Sequence, residues 1–264
     1  MMHNIRNIAA YIANCIVAYG VGANYFEPER KVFKTNKQIS ELYPTLFTPA
    51  GWAFAIWGII FGLEGISVLW MNDISSLGPC AEQGSKYWLY ACFFQSGWTI
   101  AFALNKIPLA MILMLCIYAS MYMCYTGFNQ CSVNDQSIIW YILGVLPYCI
   151  HCAWVGGASI VSMNISAAYL HLHPSTQLQL AWSSTVAVIG LALGMSFWHK
   201  EPTFAIVGAW ALHAVSAFDQ PEALQRAFEP ADRSRFRRFA QLAAVGLLAN
   251  GLFHMCLLSW RMQK

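Results

Sequence analysis

The sequence predicts an all-α integral membrane protein with about eight transmembrane helices. Hydrophobic residues make up 58% of the 264 residues and charged residues only 10%, against roughly 25% charged in an average soluble domain. The apolar runs are long and unbroken, which favours helices over the alternating strands of a membrane barrel. Backbone groups in lipid must be satisfied within their own segment, so each run is expected to be a helix. The net charge of +3 is small and dispersed, and we expect no nucleic-acid partner.

The predicted helices follow the apolar runs in order. They are expected within residues 5–26, 43–70, 86–104, 109–126, 138–170, 178–198, 203–218 and 239–260.

The first run is polar for a membrane span. Its Asn7, Asn14 and Asn24 are expected to face other helices, where amides can hydrogen-bond. The alternative, a cleaved signal peptide, is disfavoured because asparagines replace the compact apolar core of such a leader.

In the fifth run, Pro147 is expected to kink the helix. In the sixth, Gly190 and Gly194 have the four-residue spacing that lets helices approach closely, most simply within the chain.

Basic residues predict the orientation. With eight spans, loops 1, 3, 5 and 7 carry ten Lys and Arg, whereas the termini and loops 2, 4 and 6 carry five. The positive-inside rule therefore places the odd loops on the cytosol-like side and both termini opposite. Residues 233–238, RSRFRR, are expected to anchor the last helix, with binding of anionic lipid headgroups as the alternative. Cys80 and Cys131 fall on the non-cytosolic side, where a disulfide forms if that compartment is oxidising.

Several of the eleven tryptophans lie well inside the apolar runs. These are Trp57, Trp98, Trp154, Trp182 and Trp210. Two interpretations stay open: the rings fill gaps between helices, or they line an aromatic cavity for a flat apolar ligand.

Glu64 is a carboxylate inside a membrane span and is costly there. It is a candidate polar site with three interpretations: a protonated group bonded to a neighbouring helix, a partner for a cationic ligand, or part of a proton path. His151, His213 and His254 are expected to be packed histidines, although a ring nitrogen can also ligate haem or chlorophyll. The Cys149–Cys152 segment, CIHC, lacks metal-site spacing, so no metal site is predicted. No pattern of catalytic residues is present, and we predict no enzyme.

One stretch carries a family resemblance. Residues 43–61, YPTLFTPAGWAFAIWGIIF, resemble the start of the second helix in the tryptophan-rich sensory protein and translocator protein family, in its longer branch. Gln95 and Trp98 resemble an Asn-x-x-Trp element of its third helix. Residues 146–154 resemble the start of its fifth helix, and residues 204–212 resemble a helix found after the core of the longer members.

The resemblance implies a five-helix membrane domain over residues 1–170 and a C-terminal helical extension over residues 171–264. It also implies a pocket for haem, protoporphyrin or another tetrapyrrole, roofed by residues 27–48. The ligand-binding side chains would be Trp57, Phe61, Gln95, Trp98 and Trp154.

The chain departs from the family pattern at several positions. Gln95 replaces the usual Asn, and Glu64 replaces an apolar residue of the compact members. Asn164 lies about two residues further along the fifth helix than the pattern would place it.

The leading functional hypothesis is a receptor or carrier that binds a flat hydrophobic ligand. The alternatives are a structural subunit of a respiratory or photosynthetic membrane complex, and a transporter that uses Glu64. The expected partners are membrane lipid and the hydrophobic ligand, with a homodimer or a larger membrane complex as further expectations.

Overall fold

The computed structural model describes residues 2–22, 32–71, 78–134 and 138–262, and all regular elements in these ranges are helical. The all-α prediction is therefore confirmed. The α-helices are α1 (Met2–Val17), α2 (Asn36–Leu42), α3 (Ile56–Trp70), α4 (Pro79–Ala103), α5 (Ile107–Asn134), α6 (Ile138–Trp140), α7 (Leu146–Tyr169), α8 (Pro174–Trp198), α9 (Thr203–Ser216), α10 (Glu222–Ala227) and α11 (Pro230–Met262).

Five helical segments are long and apolar enough to cross a membrane. They are Gly51–Trp70, Ile107–Cys131, Ile138–Tyr169, Pro174–Trp198 and Pro230–Leu258. The chain is thus a multi-pass helical membrane protein. The helices α1, α4 and α9 lie where the other three spans are expected, but each is too short or too polar by the same measure. The count of eight spans stays a prediction.

The fifth predicted helix is continuous but irregular before Pro147. A π-helical segment, Tyr141–Val145, joins α6 to α7, and the Leu146 N–H bonds the Tyr141 carbonyl. Pro147 then falls in the first turn of α7, where its missing N–H leaves no gap. The helix is therefore irregular in the turn before Pro147 rather than at Pro147 itself. Short π-helical segments commonly interrupt α-helices in this way.

The charged stretch at 219–238 is not a loop, contrary to expectation. It contains α10 and the first two turns of α11. Pro230 opens α11 and Asp232 lies in its first turn, both favourable at a helix N-terminus. The arginines of residues 233–238 are consequently helical.

The chain divides into two compact units, 1–39 with 56–155 and 40–55 with 156–264. The division between residues 170 and 171 rests on the family resemblance and stays a prediction.

In the first unit, Asn7 and Asn14 of α1 face α4, as expected. The Asn7 amide donates to Ser85 Oγ at 2.9 Å, and the Asn14 amide donates to Gln95 Oε1 at 3.1 Å. Asn24 lies outside the described residues.

Helices α4 and α5 of the first unit approach each other so closely that their backbones nearly touch. A Cβ placed on Gly127 would lie 2.8 Å from the Gly84 backbone nitrogen. One turn away on each helix, Cys80 and Cys131 form a disulfide with their Cα atoms 5.8 Å apart. Both cysteines lie inside helices rather than in the expected loops. Two small residues and a crosslink therefore hold these antiparallel helices together.

The expected close approach at Gly190 and Gly194 is not found. A Cβ on either residue would meet no described atom within 4 Å, and both glycines are exposed on α8.

Gly127→Ala is expected to lower the free energy of unfolding by about 1–3 kcal/mol, because the added methyl group meets backbone that cannot rotate away. Gly190→Ala is the matched control and is expected to be neutral or slightly stabilising. Thermal unfolding in detergent measures both, and equal effects would contradict the described contact.

The disulfide makes a direct prediction for cysteine alkylation. Of the nine cysteines, all except Cys80 and Cys131 are thiols. Denatured, unreduced protein from an oxidising compartment should gain seven alkyl groups by intact mass spectrometry, and reduced protein nine. Nine groups without reduction would show that the bond is not formed.

The second unit is built on α8, α9 and α11. Their apolar faces share a core that includes Val188, Leu212, Phe236, Ala240 and Leu247. The segment before α3 joins this unit: the Trp210 indole donates to the Ala53 carbonyl at 3.1 Å, and Trp52 packs edge-on against Trp210.

Candidate functional site

A buried pair of ionisable side chains lies at the centre of the candidate site. Glu64 of α3 and His151 of α7 face each other, with Oε1 and Nδ1 2.7 Å apart. Their side chains are 0% and 1% exposed. An ionisable pair with this degree of burial costs desolvation energy that its mutual attraction barely repays. Such a pair inside a membrane protein is therefore a candidate functional site.

Polar contacts one helical turn away flank the pair. The Ser67 hydroxyl donates to Tyr148 Oη at 3.0 Å, three residues beyond Glu64 on one helix and three before His151 on the other. On the other side, the Tyr11 hydroxyl donates to the Phe61 carbonyl at 2.9 Å. Polar contacts thus lie one turn from the pair on both sides.

Each member of the pair keeps one further polar atom. Glu64 Oε2 and His151 Nε2 are buried and have no hydrogen-bond partner among the described residues. Since buried polar atoms are normally paired, these two unpaired atoms mark the Glu64–His151 pair as a candidate binding site.

Aromatic rings cover the pair on one side. The Trp57 ring lies edge-on to His151 at a centroid distance of 5.6 Å and edge-on to Trp154 at 6.4 Å. It also stacks with Phe61 at 5.8 Å, and Phe61 contacts Tyr19 at 5.6 Å. Trp57 and Tyr19 are partly exposed, while Phe61 and Trp154 are buried. We call Trp57, Phe61, Trp154 and Tyr19 the aromatic cluster.

The structure brings three of the five predicted ligand-binding residues together, namely Trp57, Phe61 and Trp154. The other two lie on α4. Gln95 is buried and accepts a hydrogen bond from Asn14, so its oxygen is already used between helices. Trp98 stacks on Phe102 of its own helix at 5.2 Å and makes no ring contact with the cluster in the described part of the chain. The assignment of these five residues to a ligand stays a prediction.

The predicted roof, residues 27–48, is only partly described, since residues 27–31 lie outside the described ranges. Its role stays a prediction too.

Sequence reasoning treated Glu64 and His151 separately and missed that they pair. The two residues are 87 positions apart, and helix orientation is not visible in one sequence. A signal was present nonetheless: Glu64 and Ser67, like Tyr148 and His151, are polar residues three apart on apolar helices, which places each pair on one face.

In the described ranges, no group of three or more His, Cys, Asp or Glu residues could hold a metal. The carboxylate on His151 Nδ1 is a typical orienting partner for a ligating histidine, and Nε2 is buried with no hydrogen-bond partner among the described residues. The rings of the aromatic cluster present apolar faces beside this pair.

Comparison with known proteins gives one match. The family model described as TSPO-like protein matches residues 4–228, which include both helices of the pair and the whole aromatic cluster. Searches among curated proteins and among solved structures give no significant match.

Proposed function

The chain belongs to the family of TSPO-like proteins, and from this premise we propose that it binds a flat hydrophobic ligand of the porphyrin or tetrapyrrole class inside the membrane. Its role would be that of a receptor or carrier. The observation that carries this proposal is the aromatic cluster placed directly against a buried Glu–His pair.

The cluster suits a planar, conjugated ligand. Large rings bind such molecules by face and edge stacking, at centroid distances of roughly 4.5–7 Å. Trp57 is the most suitable contact, because it is partly exposed and touches Phe61, Trp154 and His151. Ligand sites are typically apolar with a few polar groups that fix orientation. Here Glu64 and His151 supply those groups.

The direct test is to identify what co-purifies. Protein extracted in mild detergent should carry a chromophore with tetrapyrrole absorbance, and mass spectrometry should name it. A Trp57→Leu protein prepared in parallel should lose the chromophore, whereas Trp182→Leu, in the other unit, should keep it. Colourless wild-type protein that runs only within a large assembly would instead favour the structural-subunit hypothesis.

A second candidate function, proton-coupled transport, is supported by the Glu64–His151 pair itself. A buried pair with a polar contact one turn away on each side can take up and release a proton as it is exposed to each side of the membrane. Glu64→Gln removes the ionisable carboxylate and keeps a hydrogen-bond acceptor. Ligand uptake into liposomes should then lose its dependence on a pH gradient. Unchanged pH-driven uptake would rule this function out.

We also propose the orientation given by the positive-inside rule, with α11 beginning on the cytosol-like side. The Cys80–Cys131 disulfide supports it, since it lies at the end of α4 and α5 assigned to the opposite, oxidising side. Membrane-impermeant labelling of cysteines introduced near residues 82 and 229 would test this orientation.

A further inference from the structure

Two exposed arginines lie where α11 begins its apolar span. The Arg235 side chain is 71% exposed, and Arg238 is exposed as well. Residues 230–241 contain four arginines and one aspartate. The start of this helix therefore carries a local excess of positive charge.

The two arginines lie on the outward face of α11. The inward face is marked by buried residues three or four apart: Phe236, Ala240, Ala244 and Leu247. The outward face continues from Arg235 and Arg238 to Leu242, which is 71% exposed, and Val245, which is 57% exposed. Offsets of three, seven and ten residues keep all four on one stripe. The apolar part of that stripe faces lipid in a membrane-spanning helix.

The depth of the arginines follows from helix length. Residues 239–258 carry no charged side chain, and twenty helical residues span about 30 Å, which matches the hydrocarbon core. Arg238 lies immediately before this span and Arg235 one turn further out. Both guanidinium groups therefore lie at the level of the lipid headgroups.

The neighbouring arginines are engaged by the protein. Arg233 donates to the Phe228 carbonyl and to Gln220, and Arg237 donates to the Ser216 carbonyl at 2.9 Å. These bonds fix the start of α11 against the rest of its unit.

Arg235 and Arg238 are held far more loosely. Arg235 lies 4.0 Å from Asp232, a contact worth little at an exposed position. Among the described residues, Arg238 donates a side-chain hydrogen bond to Ser234, one turn away on the same helix, and to no other side chain. Their guanidinium groups thus keep donors free for an external partner.

We propose that Arg235 and Arg238 form a binding site for an anionic phospholipid. Two guanidinium groups on adjacent turns suit a phosphate, which they bind through paired N–H donors. The acyl chains of the same lipid lie along Leu242 and Val245. The site belongs to the second unit and is independent of the proposed tetrapyrrole site.

The test compares lipid retention in nanodiscs that contain equal parts of phosphatidylglycerol and phosphatidylcholine, by native mass spectrometry of the released protein. Wild type should retain phosphatidylglycerol preferentially. Each arginine near a charged surface contributes roughly fivefold, so the Arg235→Gln/Arg238→Gln protein should lose about twentyfold or more of the preference. The single variant Arg238→Gln is also compared with Arg226→Gln. This control removes the same charge from an arginine that pairs with Glu222 on α10.

Three outcomes would overturn the proposal. They are equal retention of both lipids by wild type, full preference in the double variant, and a loss with Arg226→Gln as large as that with Arg238→Gln. Addition of inorganic phosphate distinguishes a site that binds the whole lipid from a site that binds phosphate alone. Millimolar phosphate should leave the retained lipid in place, and displacement by phosphate would show that the acyl chains contribute nothing. Circular dichroism of the double variant verifies that α11 is still folded.

Discussion

His151→Ala should lower the free energy of unfolding by about 3–5 kcal/mol, because it leaves the Glu64 carboxyl group buried without its partner. Glu64 is 0% exposed and bonds His151 at 2.7 Å. Removal of one partner of a buried pair costs much more than removal of both. The measurement is equilibrium unfolding in detergent micelles or bicelles.

Two further variants make this prediction specific. The Glu64→Leu/His151→Leu protein should recover most of the lost stability, since no polar group is then stranded. Glu64→Gln should cost far less than His151→Ala, because the amide oxygen still accepts from Nδ1. A His151→Ala protein within 1 kcal/mol of wild type would show that the two side chains do not depend on each other.

Trp57→Leu should weaken tetrapyrrole binding at least tenfold. The ring contacts Phe61, His151 and Trp154, and aromatic pairs contribute about 0.5–1.5 kcal/mol each beyond burial. Loss of one ring therefore removes a ligand contact and loosens its neighbours, and every 1.4 kcal/mol is tenfold in Kd. Absorbance titration with protoporphyrin measures the affinity.

The controls separate this effect from general damage. Trp57→Phe keeps a stacking ring and should recover part of the affinity. Trp182→Leu removes a ring of the second unit, packed against Phe236 and Phe239, and should leave binding unchanged. Equal losses from Trp57→Leu and Trp182→Leu would point to destabilisation rather than to a contact with the ligand.

Much of the fold could be predicted from the sequence because the bilayer restricts it so strongly. Apolar runs marked the helices, and residues 43–61 carried the most specific part of the family resemblance. The predicted ends of the helices were less accurate than their predicted positions. The arginines of residues 233–238 resembled a solvated loop by charge, yet arginine is a good helix former, and α11 includes all of them.

The site was predicted only in part, for a geometric reason. Composition and resemblance singled out Trp57, Phe61 and Trp154, which do lie together. They could not show that Glu64 faces His151, since this contact depends on how α3 and α7 are rotated. The Gly84–Gly127 contact was missed for the same reason, because its glycines lie on different helices rather than four apart on one.

A fluorescence titration tests whether the aromatic cluster binds a flat hydrophobic ligand. Protoporphyrin is added to wild-type protein in detergent while tryptophan fluorescence is recorded, with free tryptophan as the control for inner-filter loss. We expect saturable quenching at one ligand per chain, and we expect Trp57→Leu to weaken the apparent affinity at least tenfold. Quenching that rises linearly without saturation, or that is identical in the two proteins, would contradict it.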